Sequence, residues 1–241
     1  MLLTFIAIAL GGILKGATGA GAPILAVPVL AVLFDVPFAI AILAVPNLVS
    51  NTWQGWHFRR HQIEGRFTAH FAFGGTLGAG FGTYMLARLP DTALLILVSV
   101  SVFAYIGFRL TRPDAILRFE IARRLALPVG SVAGMLQGAA GISAPVSITF
   151  LNAMRIERAA FVATISCFFA MMSVIQIPML AHYGFLTWER FAWSCAALVP
   201  LFLGMPIGAV LARHLSKVLF DKIVLALLAL VAVRLLFQAL T

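Results

Sequence analysis

Residues 16–23 read Gly16-Ala17-Thr18-Gly19-Ala20-Gly21-Ala22-Pro23, inside an apolar run that starts at residue 1 and ends near residue 35. A straight helix of that length would reach about 50 Å, whereas the hydrocarbon core of a bilayer is about 30 Å thick. One crossing cannot hold the run, and the quoted stretch is where it gives way. Glycines loosen a helix, and Pro23 cannot continue one from the preceding turn. Proline does suit the first turn of a new helix. The stretch therefore predicts two short helices, over 2–17 and 22–35, meeting at a break.

The break recurs 122 residues later: Gly12, Gly16, Gly19, Ala22 and Pro23 align without a gap on Gly134, Gly138, Gly141, Ala144 and Pro145. At the same offset Gln54 falls on Gln176. A repeat centred on a Gly/Pro break signals duplication of a structural unit. Chance clustering in a chain with 20 glycines is the competing reading.

Outward from the two breaks, the other apolar elements cover 37–56, 68–87 and 91–110 in the first half. The second half holds 122–138, 144–153, 158–181, 190–212 and 217–239. Most are long enough to cross a bilayer; 144–153 is too short and 22–35 is marginal. Of the 241 residues, 62% are hydrophobic and 10% charged. Soluble domains carry about 45–50% and about 25%. The expected fold class is an all-α polytopic membrane protein, with an inverted structural repeat and paired broken or re-entrant helices in each half. It is read as one transmembrane transporter domain over 1–241, with repeats at approximately 1–110 and 120–241.

The formal net charge of +9 has a topogenic reading, because the basic residues fall in short loops between apolar elements. Nucleic acid is not an expected partner; the lipid bilayer is, and a homo-oligomer is compatible with the sequence. The loops after elements 37–56, 91–110, 144–153 and 190–212 share one face and hold 13 of the 17 Lys and Arg residues. That face is expected to be cytoplasmic, in the inner membrane of a bacterium, with both termini outside. Five elements per half, an odd number, make the two repeats inverted. The start of the chain, Met1-Leu2-Leu3-Thr4, lacks a basic leader and reads as a retained first segment. Cys167 and Cys195, in apolar stretches, read as packed thiols.

Broken helices at membrane depth line a cavity or are buried in protein. Paired breaks in the two halves of an inverted repeat point to a transporter's binding site. Both breaks end in a helix N-terminus, whose free N–H groups and dipole favour anions. The candidate site residues at the first break are Thr18, Gly19, Gly21, Ala22 and Pro23; at the second they are Gly141, Ser143, Ala144 and Pro145. The hydroxyls of Thr18 and Ser143 can donate to an anion or bond back to helix carbonyls. Lys15 is the one charge well inside an element, and all eight acidic residues fall at element ends or in loops. A buried charge in a membrane marks function, unless the lysine snorkels to the interface. Asn47, Ser50, Asn51 and Gln54 share a helix face, and Thr164, Ser166, Ser173 and Gln176 are their counterpart. These faces line a pathway or bond helix to helix. Gln54 and Gln176 are the preferred pair. No metal or other cofactor is expected: His57 and His61 have ligand spacing but flank Arg59 and Arg60. The runs Gly74-x3-Gly78-x3-Gly82 and Gly204-x3-Gly208 predict close helix packing.

The segment Gly12-x3-Gly16-x2-Gly19-x-Gly21-x6-Pro28-x-Leu30, followed by Asp35-Val36-Pro37, resembles the TauE/SafE family of sulfite exporter-like membrane proteins. Its second copy is Gly134-x3-Gly138-x2-Gly141, followed by Ala163-Thr164-Ile165-Ser166. The chain departs from the family's glycine triplet at Gly21-Ala22-Pro23 and at Ile142-Ser143-Ala144-Pro145. In place of the first Thr/Ser motif stands Pro46-Asn47-Leu48-Val49-Ser50-Asn51. The resemblance implies export of a small sulfur oxyanion, sulfite or thiosulfate, or of an organosulfonate. Alternating access between the two breaks is the expected mechanism. An anion channel with the same central site is the alternative. An intramembrane enzyme would need a nucleophile, carboxylate pair or metal cluster at depth, and the sequence offers none, so the chain is not expected to be an enzyme.

Overall fold

The computed structural model describes residues 2–111, 116–214 and 217–240. Arg112 and Asp114 lie outside the described residues, as do the side chains of Arg213, Lys217, Asp221 and Lys222. The described chain is helical, without a strand. It runs α1 (Leu2–Thr18), α2 (Ala22–Leu33), α3 (Val36–His57), a 3-10 turn (Arg59–His61), α4 (Gly65–Arg88) and α5 (Asp91–Thr111). The second half follows as α6 (Phe119–Ala140), α7 (Ala144–Ala153), α8 (Arg158–His182), α9 (Trp188–Ala196), α10 (Leu198–His214) and α11 (Lys217–Leu240).

The helix starts follow from local chemistry. Pro23, Pro37 and Pro145 occupy the first positions of α2, α3 and α7, where a missing N–H costs nothing. The Asp35 carboxylate caps α3 by accepting from the Phe38 N–H at 2.5 Å. Thr187 caps α9, its hydroxyl oxygen accepting from the Arg190 N–H at 3.2 Å.

Two boundaries differ from the sequence expectation. The stretch 190–212 is two helices, α9 and α10, meeting at Ala197. Pro200 has no N–H to give the Ala196 carbonyl, so the ladder opens one turn before it. The first break is also shorter than expected, because α1 continues through Thr18 and only Gly19–Gly21 is non-helical. Gly16 therefore sits inside a helix, where its role is packing: a Cβ there would lie 1.9 Å from the Met205 carbonyl oxygen of α10.

Among the described residues four helical segments are long and apolar enough to cross a membrane: Val36–His57, Asp91–Thr111, Arg158–His182 and Trp188–Ala212. With 24 residues α4 has the length but falls short in apolarity, because its inner face is glycine. Its outer face carries Phe73, Leu77, Phe81 and Tyr84, exposed at helical spacing as a lipid-facing side would be. Trp53 and Trp56 are exposed near the end of α3, and Trp188 at the start of α9. Amphipathic aromatics favour the two membrane–water interfaces. Length, apolarity and these aromatics make the chain a polytopic membrane protein.

Helix pairing repeats between the halves: α1 packs on α10 and α6 packs on α4, while α3 meets α8 and α5 meets α11. Both pairs built on small residues bring backbones together, as the glycine spacing predicts. Cβ atoms at Gly74, Gly78 and Gly82 would lie within 2.3 Å of α6 carbonyl oxygens, and at Gly204 and Gly208 within 2.4 Å of α1 carbonyl oxygens.

Gly19 and Gly141, equivalent in the repeat, close α1 and α6 in the left-handed region, with φ of 84° and 69°. At Gly141 a Cβ would also press on Val27 and Ile40, both at 3.0 Å. Gly141→Ala is expected to cost about 1–2 kcal/mol from backbone conformation alone. It should lower the thermal unfolding midpoint in detergent, and an unchanged midpoint would refute the account.

Candidate functional site

The site grows from the middle of α3. Pro46 has no N–H for the Ile42 carbonyl, which would be left unpaired inside the protein. Ser194 of α9 meets that need, its hydroxyl donating to Ile42 O at 2.8 Å and accepting from the Val45 N–H at 3.1 Å. The gap in the ladder is thus bridged from outside the helix, and the polar face Asn47–Gln54 follows directly after it.

That face receives Lys15. The side chain is 1% exposed, and its Nζ donates to Asn51 Oδ1 at 2.6 Å. Asn51 Nδ2 in turn donates to Asn47 O and Oδ1, each at 2.7 Å. Asn47 Nδ2 reaches Ser173 Oγ on α8 at 3.3 Å, and Ser173 donates to Phe169 O. A continuous polar chain therefore links α1, α3 and α8 through the protein interior. Lys15 does not snorkel. No carboxylate pairs with it among the described residues, so two of its three ammonium donors have no protein acceptor.

Beside this chain lies a cavity of about 10 Å³, lined by Pro23, Asn47, Gln137, Gly141 and Gln176 among others. Residues of both breaks thus share one space, at present wide enough for roughly a single water. Gln176 Nε2 donates to the Gln137 backbone carbonyl at 3.4 Å.

Other candidates are placed differently. Gln54 and Gln176 do not meet: α3 and α8 run antiparallel, and the two residues lie on opposite sides of the Asn47–Ser173 contact. Helical rise separates them by about 15 Å along the axes. Thr18 bonds back to Leu14 O at 2.8 Å and also contacts Ala20 O. Ser143 pairs with Ser147 at 3.0 Å, and Ser147 bonds back to Ser143 O. Gly19 and Gly21 hold the left-handed turn that leads into Ala22, while Ala144 opens α7. Thr164 and Ser166 are fully buried on α8, and their hydroxyls have no partner among the described residues, as is true of Gln54 Oε1 and Gln137 Oε1. Unpaired polar atoms in a protein interior are costly and rare, which marks them for a second conformation or a ligand.

Gln137 was not among the residues expected from sequence, yet the repeat points to it: 15 plus 122 is 137, so Gln137 is the counterpart of Lys15. Ser173 is likewise the counterpart of Asn51. Ser173 already stood on the expected polar face, whereas Gln137 escapes notice because it resembles Lys15 only in polarity.

A family model for the sulfite exporter TauE/SafE matches residues 4–235. The chain belongs to the TauE/SafE family. No curated protein and no solved structure gives a significant match. TauE/SafE proteins are membrane transporters of the sulfite exporter type, so the polar chain and the cavity lie in a transporter, and the reading of a transporter over an enzyme gains support. Within this TauE/SafE chain a second, larger space of about 560 Å³ opens beside the first break, next to Thr18, Ala20 and Arg158.

Proposed function

We propose that the protein exports a small sulfur oxyanion, sulfite or thiosulfate, or an organosulfonate, by alternating access. The observation that carries this is Lys15: a buried lysine with one hydrogen bond, no carboxylate partner among the described residues, and a polar chain leading from it. An uncompensated ammonium in a low-dielectric interior is costly, and a bound anion removes that cost. Helix N-termini at Pro23 and Pro145 add to the same sign of field. The substrate is proposed to sit between Lys15, Asn47 and Asn51 on one side and Gln137, Gln176 and Gly141 on the other, with Thr164, Ser166 and Gln54 lining its path. The central cavity is too small for an oxyanion in this conformation, whereas the 560 Å³ space is open, which suits a protein that alternates between states. Inverted repeats over 1–110 and 120–241 rocking on one another provide that motion. The equivalent pairings α1–α10 and α6–α4 support the duplication.

The basic loops face the cytoplasm in this proposal, in the inner membrane of a bacterium, with both termini outside. An inside-negative potential then drives anion exit by about 2.3 kcal/mol per charge per 100 mV, so no coupling carboxylate is needed. The test is flux of sulfite and thiosulfate into proteoliposomes, with and without an imposed potential. Saturable flux with counterflow is expected, and flux should fall at least about tenfold when Gln54 and Gln176 are both replaced by Ala. Saturation without counterflow would make the protein a channel. Absence of flux for both anions and for an alkylsulfonate would remove anion transport.

A further inference from the structure

The two halves match down to single backbone contacts. A Cβ at Gly12 or Gly16 of α1 would meet the carbonyl oxygen of Leu201 or Met205 on α10; at Gly134 or Gly138 of α6 it would meet that of Gly75 or Ala79 on α4. Gly19 lies against Val162 as Gly141 lies against Ile40, and both members of each pair are 122 places from their counterparts. These matched contacts support the duplication and allow residues 122 apart in α1 and α6, and in α3 and α8, to be compared position by position.

Matched positions hold unequal residues. Because α3 and α8 run antiparallel, the Asn47–Ser173 contact divides the polar interior into two flanks. On one flank Asn51, a turn further along α3, accepts from Lys15. On the other Gln176, almost a turn further along α8, donates to the Gln137 carbonyl. Lys15 and Gln137 are counterparts, so one flank has an ammonium where the other has an amide. A second difference has the same sense, because Ser166 is the counterpart of Ala44. Ala44 lines the small cavity with Gln137 and Gln176. Ser166 stands where α3 and α8 approach at Gly55, whose added Cβ would lie 3.8 Å from Ser166 Cβ. Its buried hydroxyl has no partner among the described residues, and neither has Oε1 of Gln54 beside Gly55. Such atoms are costly unless something pairs with them. The Lys15 flank thus has a charge and a hydroxyl donor that the Gln137 flank lacks.

We propose that this difference makes the anion site sided: a small sulfur oxyanion binds tightly while the Lys15 flank is open to solution and weakly while the Gln137 flank is. The inference rests on the transport reading above and adds which face loads and which releases. Lys15 lies just before the end of α1, whose Gly16 and Ala17 carbonyls accept from Arg158 at the start of α8. Its flank therefore faces the end of the protein that holds Arg158, and loading occurs there. Charge-assisted hydrogen bonds are about twice as strong as neutral ones, so the ammonium and Ser166 hold an oxyanion that the Gln137 and Gln176 amides let go. Two identical flanks would bind it equally from both faces.

Sulfite flux into right-side-out and inside-out membrane vesicles, with the potential held at zero, gives KM from each face. Wild type is expected to show a KM about tenfold lower from the Arg158 face. Net flux must vanish at equal concentrations, so Vmax/KM is the same from both faces and the tight face also has the lower Vmax. Lys15→Gln combined with Ser166→Ala copies the Gln137 flank onto the other, and the two KM values should become equal. Lys15→Gln combined with Gln137→Lys exchanges the flanks, and the low KM should move to the opposite face. The symmetrised variant uses residues the fold already holds at the matched positions and loses an unpaired buried charge, so its thermal midpoint should hold or rise. It decides the matter if the exchanged variant does not fold. A purely structural lysine would lower the midpoint, or scale Vmax from both faces by one factor, and leave the KM ratio alone. Equal KM values in wild type, or an unchanged ratio in the symmetrised variant, would overturn the inference and leave transport standing. Absence of wild-type flux for sulfite, thiosulfate and an alkylsulfonate would remove transport and the inference with it.

Discussion

Lys15→Met is expected to weaken substrate affinity by about tenfold to a hundredfold while leaving the protein folded. The ammonium is the buried charge at the head of the chain Lys15–Asn51–Asn47–Ser173. A hydrogen bond to a charged group is worth about 1.5–3 kcal/mol, which converts to that range of affinity. Stability responds with a different sign. Methionine has nearly the same shape, and replacing an unpaired buried charge by an apolar side chain is often neutral or stabilising. Asn51 Oδ1 loses its donor, which offsets part of the gain. Sulfite concentration dependence of flux, measured beside the thermal midpoint in detergent, reads both quantities. Wild-type KM in the variant would remove Lys15 from the site, whatever happens to stability.

The largest structural effect is expected at Gly78. A Cβ there would lie 2.0 Å from the Ser131 carbonyl oxygen and 2.8 Å from the Met135 amide nitrogen. Both are backbone atoms of α6, so no side chain can rotate out of the way. Gly78→Leu must push α4 and α6 apart along their whole interface, at a cost of about 3 kcal/mol or more. Loss of the monodisperse folded species in size-exclusion chromatography is the expected result. Gly107 of α5 is the contrast, because nothing lies within 4 Å of its added Cβ. Gly107→Ala should stabilise by roughly 0.5–1 kcal/mol, since alanine loses less freedom in a helix. Equal behaviour of the two variants would refute the packing account.

Much of the architecture was legible because it depends on local or periodic properties. Run length and apolarity mark each helix, and Pro23, Pro37 and Pro145 mark where three of them start. The spacing of Gly74, Gly78 and Gly82 announces a close approach, though not its partner α6. Where the reading slipped, the cause was physical. Gly16 looked like part of the break, yet a neighbouring backbone, Met205, decides its role. Residues 190–212 looked continuous, because hydropathy is blind to the hydrogen bond that Pro200 removes. Gln54 and Gln176 looked like a pair because the repeat aligns them, whereas antiparallel α3 and α8 carry equivalent residues to opposite sides of the crossing.

The sequence by itself determined that the chain is a helical membrane protein, that its halves share a broken-helix motif, and that one lysine falls inside an apolar element that holds no acid. Those properties follow from composition, helical period and residue order, which need no knowledge of neighbours. Only the tertiary structure decided that Lys15 meets Asn51, that Gln137 and Gln176 share a cavity with Pro23 and Gly141, and that Arg158 grips the end of α1. Each of these contacts joins residues at least 36 positions apart or on different helices. Helix rotation and crossing set them, and glycine-sized gaps between backbones fix both.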